Sequence, residues 1–313
     1  MGTRSADAAA IALLVGALGG CADAPPARPG SSPDGMAGTP AALVDLRLPG
    51  WAGGGERIPM WIDRPPGAGP FPAVVFMHDC SGLGPRSSGG SARWARELVA
   101  RGYLVARPDS FSTRGFPGGV CTDASRARLA VVPARRARDA HAALADLRSR
   151  PDVDPGRIAV MGNSAGGGAT LATIAANART ESPPASAAGA FAAAIALYPG
   201  CPPSGGEPFR PRAPLRILIG ELDDWTPARS CEALVQRARA AGHPVSIKVY
   251  RGAHHAFDSA APVRFVEARI NPNVPGGRGA TTGGDAAAWA DSILEVEAFL
   301  REHLGARPTP RPN

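Results

Sequence analysis

The chain has 313 residues, 44% of them hydrophobic, and a formal net charge of +7. That length can bury one sizeable core, so a single domain of about 250 residues is expected once the ends are trimmed. The positive charge is almost entirely arginine, with Lys248 the sole lysine. Arginines are scattered, and the tightest group (Arg135, Arg136 and Arg138) falls on one amphipathic helix. This reads as a solvated face and argues against nucleic acid as a partner.

Arg4, an apolar stretch from Ala8 to Leu18, and then Gly19-Gly20-Cys21 open the sequence. The stretch is too short to span a bilayer but suits the core of a secretory signal. Leu18-Gly19-Gly20-Cys21 resembles the lipobox of bacterial lipoprotein signals. Residues 1–21 are therefore expected to be a lipoprotein-type signal peptide, with Cys21 lipidated and anchoring the protein to a membrane. An ordinary cleaved signal is the alternative; both place the protein outside the cytoplasm, in the periplasm or cell envelope. Residues 22–40 are rich in Pro, Gly and Ser without hydrophobic period, which predicts a flexible linker. A catalytic domain is expected over 41–306, and a disordered tail over 307–313.

Within that domain, strand and helix alternate. Ala42–Leu48 and Arg57–Asp63 read as opening strands, antiparallel to each other. Ala73–Met77 is a continuous apolar run, the mark of a central strand buried on both faces. Ser91–Arg101 has helical period and Gly102 stops it; Tyr103–Ala106 is the next strand. Pro133 starts a helix to Arg148 with Ala137, Ala140, Leu144 and Leu147 on one face. Ile158–Met161 is a strand, and Ala165–Ala178 a helix. Phe191–Tyr198, Pro214–Gly220 and Val245–Tyr250 are later strands, with a helix over Ala228–Ala241 and a closing helix over Ala286–Leu304. Asn271–Asp285 is Gly-rich and without period, which predicts a surface loop. The alternation predicts an α/β fold: a mostly parallel sheet of about eight strands with helices on both faces.

The chemistry concentrates at three junctions. After the strand ending at Met161 comes Gly162-Asn163-Ser164-Ala165-Gly166, a strand-turn-helix elbow that would expose the Ser164 hydroxyl at its tip. A Gly-rich turn into a helix is also how phosphate loops are written, but Ser164 replaces a glycine that the dinucleotide fingerprint needs. Glu221-Leu222-Asp223-Asp224-Trp225-Thr226-Pro227 follows one later strand, and Arg251-Gly252-Ala253-His254-His255-Ala256-Phe257 follows the next. Nucleophile, acid and histidine in that order is the chain order of α/β-hydrolase triads. A neutral hydroxyl needs a base, so His255 is the candidate base, with His254 as its competitor. The base needs a carboxylate; Asp223 is favoured, with Asp224 and Glu221 in the same loop. A developing oxyanion needs two N–H donors: Ala165 after the nucleophile, and Cys80 in the loop after the early central strand. No spacing suits a metal or cofactor.

Cys80, Cys121, Cys201 and Cys231 remain once Cys21 is set aside. In an exported chain they permit two disulfides in three pairings, or stay as free thiols. Cys201 and Cys231 fall at neighbouring element ends, which would leave Cys80 with Cys121.

The stretches His78-Asp79-Cys80-Ser81-Gly82-Leu83, Arg107-Pro108-Asp109-Ser110-Phe111 with Arg114-Gly115, Gly162 to Gly166, Asp223 to Pro227 and His255-Ala256-Phe257 resemble the dienelactone hydrolase family of α/β-hydrolases. The resemblance places nucleophile, acid and base at Ser164, Asp223 and His255, prefers His255 over His254, and puts the oxyanion donors at Cys80 and Ala165. It also offers Arg114 as a ligand for a substrate carboxylate, with a structural loop arginine as the alternative. Trp225, Phe111 and Phe257 are candidate walls of an acyl pocket, core packing being the other reading. Dienelactone hydrolases proper carry a cysteine at the elbow, whereas Ser164 stands here. The expectation is therefore a serine carboxylesterase acting on small esters or lactones. A polymer-ester hydrolase or peptidase on the same fold, and a non-catalytic surface binding protein, are the alternatives.

Overall fold

The computed structural model describes residues 39–51, 54–125, 131–176, 189–202 and 208–305. The expected signal, Cys21, most of the linker and the C-terminal tail lie outside the described residues.

Eight strands form one sheet in the order β1-β2-β4-β3-β5-β6-β7-β8. They are β1 (Thr39–Trp51), β2 (Gly54–Arg64), β3 (Phe71–Met77), β4 (Leu104–Pro108), β5 (Val153–Asn163), β6 (Ala193–Leu197), β7 (Leu215–Gly220) and β8 (Val245–Tyr250). β1, β2 and β4 pair antiparallel, and every pairing from β4 through β3 to β8 is parallel. This is the α/β-hydrolase arrangement that the alternation predicted. From Pro72 to Met77, β3 is wholly buried, as an apolar run without alternation requires when helices cover both faces. The chain leaves β3 for β4 on one side and returns to β5 on the other. Such a reversal opens a crevice beyond the carboxyl ends of the two central strands. β5 ends at Asn163, so Ser164 stands at that crevice.

Five helices follow the sequence pattern: α1 (Gly90–Ala100), α2 (Pro133–Ser149), α3 (Ala165–Ile174), α4 (Ala228–Ala240) and α5 (Ala286–Leu304). α3 stops four residues short of the predicted end. On α2, Ala137, Ala140, Leu144 and Leu147 are buried as predicted. Arg136, read as part of a solvated face, is instead buried. It lies four residues before Ala140 and so shares the inward face. There its guanidinium sits 4.9 Å from the Phe111 ring centroid and donates to the His78 carbonyl.

The sequence pattern also misses a hairpin. Arg264–Ile270 is β9, and Arg278–Thr282, inside the segment read as a loop, is β10; the two pair antiparallel. Asp224 fastens the hairpin by accepting from the Thr281 amide and hydroxyl, both at 2.8 Å. The Trp225 indole N–H donates to the Ile270 carbonyl at 2.8 Å. These bonds set the hairpin over the crevice. Two disulfides, Cys80–Cys121 and Cys201–Cys231, join the four body cysteines.

Candidate active site

The turn from β5 into α3 is tight because its glycines admit nothing else. A Cβ on Gly166 would overlap the Met77 carbonyl oxygen, and one on Gly162 would overlap Gly166 and lie 2.8 Å from the same Met77 oxygen. Side chains there would push the helix off the sheet. Ser164 itself adopts φ 52° and ψ −117°, a conformation costing about 1–3 kcal/mol for a non-glycine residue. Its amide donates to the Leu197 carbonyl at 2.9 Å, which pins the elbow to β6. Tyr198 (φ 36°) and Ala256 (φ 59°) are the other non-glycine residues with positive φ among those described, and both pack beside the same site. Backbone strain is thus concentrated where the functional side chains emerge.

His255, beyond β8, and Asp223, beyond β7, converge on that serine. The Ser164 hydroxyl lies 2.9 Å from His255 Nε2, and His255 Nδ1 lies 2.8 Å from Asp223 Oδ2. With its proton on Nδ1, the ring donates to the carboxylate and accepts from the hydroxyl. Asp223 is itself held: Oδ1 accepts the amides of Trp225 (3.0 Å) and Thr226 (2.7 Å), and Oδ2 accepts the Thr226 hydroxyl at 2.8 Å. All three side chains are buried. The competing residues go elsewhere. The His254 ring meets the Leu222 carbonyl at Nδ1, 3.1 Å away. Glu221 accepts from the Gly252 amide at the surface, and Asp224 holds the hairpin.

Ala165 begins α3, where an N–H has no intrahelical acceptor. Among the described residues the Cys80 amide also has no backbone acceptor. Cys80 and Ala165 both line a chamber that reaches Ser164. The Cys80 loop is fixed by its disulfide to Cys121, by the Val120 amide on the Cys80 carbonyl (2.7 Å), and by Asp79, which accepts the Ser81 amide at 2.7 Å.

The suggested substrate ligands separate. Trp225 lines the cleft. Phe257 does not; it is fully buried between Tyr198 and Tyr250, with ring centroids at 5.4 and 4.9 Å. Arg114 is a correction to the carboxylate-ligand reading. Its guanidinium spends its N–H groups on Glu56 (2.7 and 3.0 Å), Asp139 (2.7 Å twice) and the Ser110 carbonyl (3.0 Å). Burial works against that charge, but the two carboxylates outweigh it and hold the group above its ordinary range. No donor is left for a substrate.

Other partners carried no sequence signal of their own. Tyr198 packs edge-on against the His255 ring at 4.7 Å and donates its hydroxyl to Asp258 at 2.7 Å. Asn163 donates to the Tyr198 oxygen at 3.0 Å, and the Trp94 indole donates to Asp258 at 2.7 Å. Burial pushes the Asp258 carboxyl up, against the lowering effect of the Tyr198 and Trp94 donors. Thr226 alone was foreseeable, since a hydroxyl three residues after an acid commonly reaches back to it.

The dienelactone hydrolase family matches residues 58–304. The chain belongs to that family. It is accordingly a carboxylic-ester hydrolase. Among solved structures, a candidate dienelactone hydrolase from Klebsiella pneumoniae is 20% identical. It covers 84% of this chain and 99% of its own, at a TM-score of 0.58. Apo esterase 2 of Thermogutta terrifontis is 19% identical, covering 88% and 99%, at 0.60. A dienelactone hydrolase-like promiscuous phosphotriesterase from metagenomic libraries is also 19% identical, covering 84% and 98%, at 0.60. At these identities the likeness to these three structures is one of fold. A sequence search of curated proteins returned no match.

Proposed function

We propose that this protein is a serine esterase that cleaves small carboxylic esters or lactones through an acyl-enzyme. What supports this above all is the continuous hydrogen-bonded line from Ser164 Oγ through His255 to Asp223. His255 Nε2 takes the Ser164 proton as Oγ bonds to the substrate carbonyl carbon. Asp223 holds the tautomer and stabilises the imidazolium. The amides of Cys80 and Ala165 receive the developing oxyanion. Collapse of the intermediate breaks the bond to the alcohol oxygen, which takes the proton from His255. Water, deprotonated by the same ring, then releases the acid and restores Ser164. The Thermogutta esterase 2 was captured phosphorylated by paraoxon, the kind of adduct this reading expects on Ser164. A fluorophosphonate probe should label the wild-type chain and leave Ser164→Ala unlabelled; equal labelling of both would remove Ser164 from the role.

The reading extends to an exported, lipid-anchored enzyme. Metabolic labelling with a fatty acid should mark the protein and fail in Cys21→Ser.

A further inference from the structure

Ser164 stands between two cavities of opposite character. One, of about 580 Å³, is walled by Phe111, Val120, Val131, Val132 and Ile270. The other, of about 430 Å³, is lined by Arg86, Arg264 and Arg269 together with Asp79 and serines. Cys80, Cys121 and Trp225 belong to both and form the partition. His255 lines only the second.

That asymmetry assigns the two halves of an ester. The alcohol oxygen must leave beside the imidazole that protonates it, so the alcohol occupies the arginine side. The acyl group then lies in the apolar chamber. Several arginines elsewhere on this surface meet carboxylates, as Arg64 does Asp152, Arg101 Glu97 and Arg107 Asp63. Arg86, Arg264 and Arg269 have no ion-pair or hydrogen-bond partner among the described residues. The one acid in the cavity, Asp79, is already engaged by Ser81 and Ser88. Arg269 is half-buried over the Trp225 ring, 5.1 Å from its centroid, and its Nε is buried without an acceptor. A desolvated donor left unpaired costs free energy that an incoming acceptor recovers.

We infer that the substrate is an ester joining an apolar acyl group to an anionic alcohol, whose charge is received by Arg269 with Arg264 and Arg86. This rests on the serine-esterase reading. The hexanoyl esters of 4-hydroxybenzoate and 4-hydroxybenzamide test it, because the neutral amide is intrinsically the better leaving group. Wild type should favour the carboxylate ester by about tenfold in kcat/KM, a preference that shrinks with added salt. Arg269→Gln combined with Arg264→Gln should bring the ratio to about one; being a ratio, it is read from whatever fraction of the variant folds. Moving the carboxylate to the acyl end, in the phenyl monoester of glutarate, should lower kcat/KM relative to phenyl hexanoate. Ser164-dependent cleavage of both aryl hexanoates without preference, or a preference that survives in the double variant, overturns the inference alone. Absence of Ser164-dependent cleavage of any of these esters overturns the esterase reading and the inference with it.

Discussion

His78 and His255 are both buried beside the same crevice, and in the proposed mechanism only His255 moves a proton. The His78 ring donates from Nδ1 to the Asp79 carbonyl at 2.8 Å and accepts the Ser110 amide at Nε2, 3.2 Å away. Both partners are backbone groups that cannot change protonation. Burial, reinforced by the Arg136 charge, pushes His78 down to about 4, so it is a neutral strut. His255 faces a carboxylate at one nitrogen and a hydroxyl at the other. A buried imidazole becomes a base through what its two nitrogens touch, and burial alone says nothing of its role.

Replacing each ring should separate the two. His255→Ala should lower kcat by at least about 10⁴-fold with little change in thermal stability. If the variant retained most of its turnover, the assignment of base would be wrong. Asp223→Asn should cost about 10³- to 10⁴-fold in kcat by presenting the wrong tautomer. Asp258→Asn, at a carboxylate that touches Tyr198 and not the imidazole, should cost far less; equal losses in steady-state assays would refute this division of labour. His78→Ala should cost about 2–4 kcal/mol of unfolding free energy, through a buried cavity and two lost hydrogen bonds. Urea titration measures that.

The smallest effect is one of pH. A histidine whose folded value lies below its unfolded value stabilises the fold fully above about 6.5, and that contribution is lost as pH falls towards about 4. At about 1.4 kcal/mol per pH unit the loss approaches about 3 kcal/mol. The raised Asp258 carboxyl works in the opposite direction, because the folded state then holds a proton the unfolded state gives up. His141, also pushed down by burial, adds to the His78 contribution. His78→Asn should flatten the wild-type slope between pH 6.5 and 4. Parallel curves for the two proteins would show that His78 does not titrate on unfolding.

The parts legible in sequence were those with a strong local cause. The apolar run of β3, the glycines of the elbow, and an acid and a histidine each placed just beyond a strand all carry their reason in neighbouring residues. Hairpin β9–β10 was missed because exposed edge strands need no apolar alternation, and its Gly-rich half imitates a loop. Arg114 was left open between ligand and structural arginine because its partners Glu56 and Asp139 lie far along the chain. Arg136 was misread because a charge at an inward helix position contradicts the pattern rule used to place it. The arginines of the polar cavity gave no signal, since their grouping exists only after the hairpin folds over the crevice.

In the proposed mechanism attack and charge stabilisation come from consecutive residues, Ser164 and Ala165, moulded by glycines that tolerate no added atom. The spacing between nucleophile and nearest oxyanion donor is thus a property of one rigid joint, and no single substitution can adjust one without the other. Adaptation to new esters has to happen in the surrounding walls, around Phe111, Trp225 and the hairpin, while the joint stays constant.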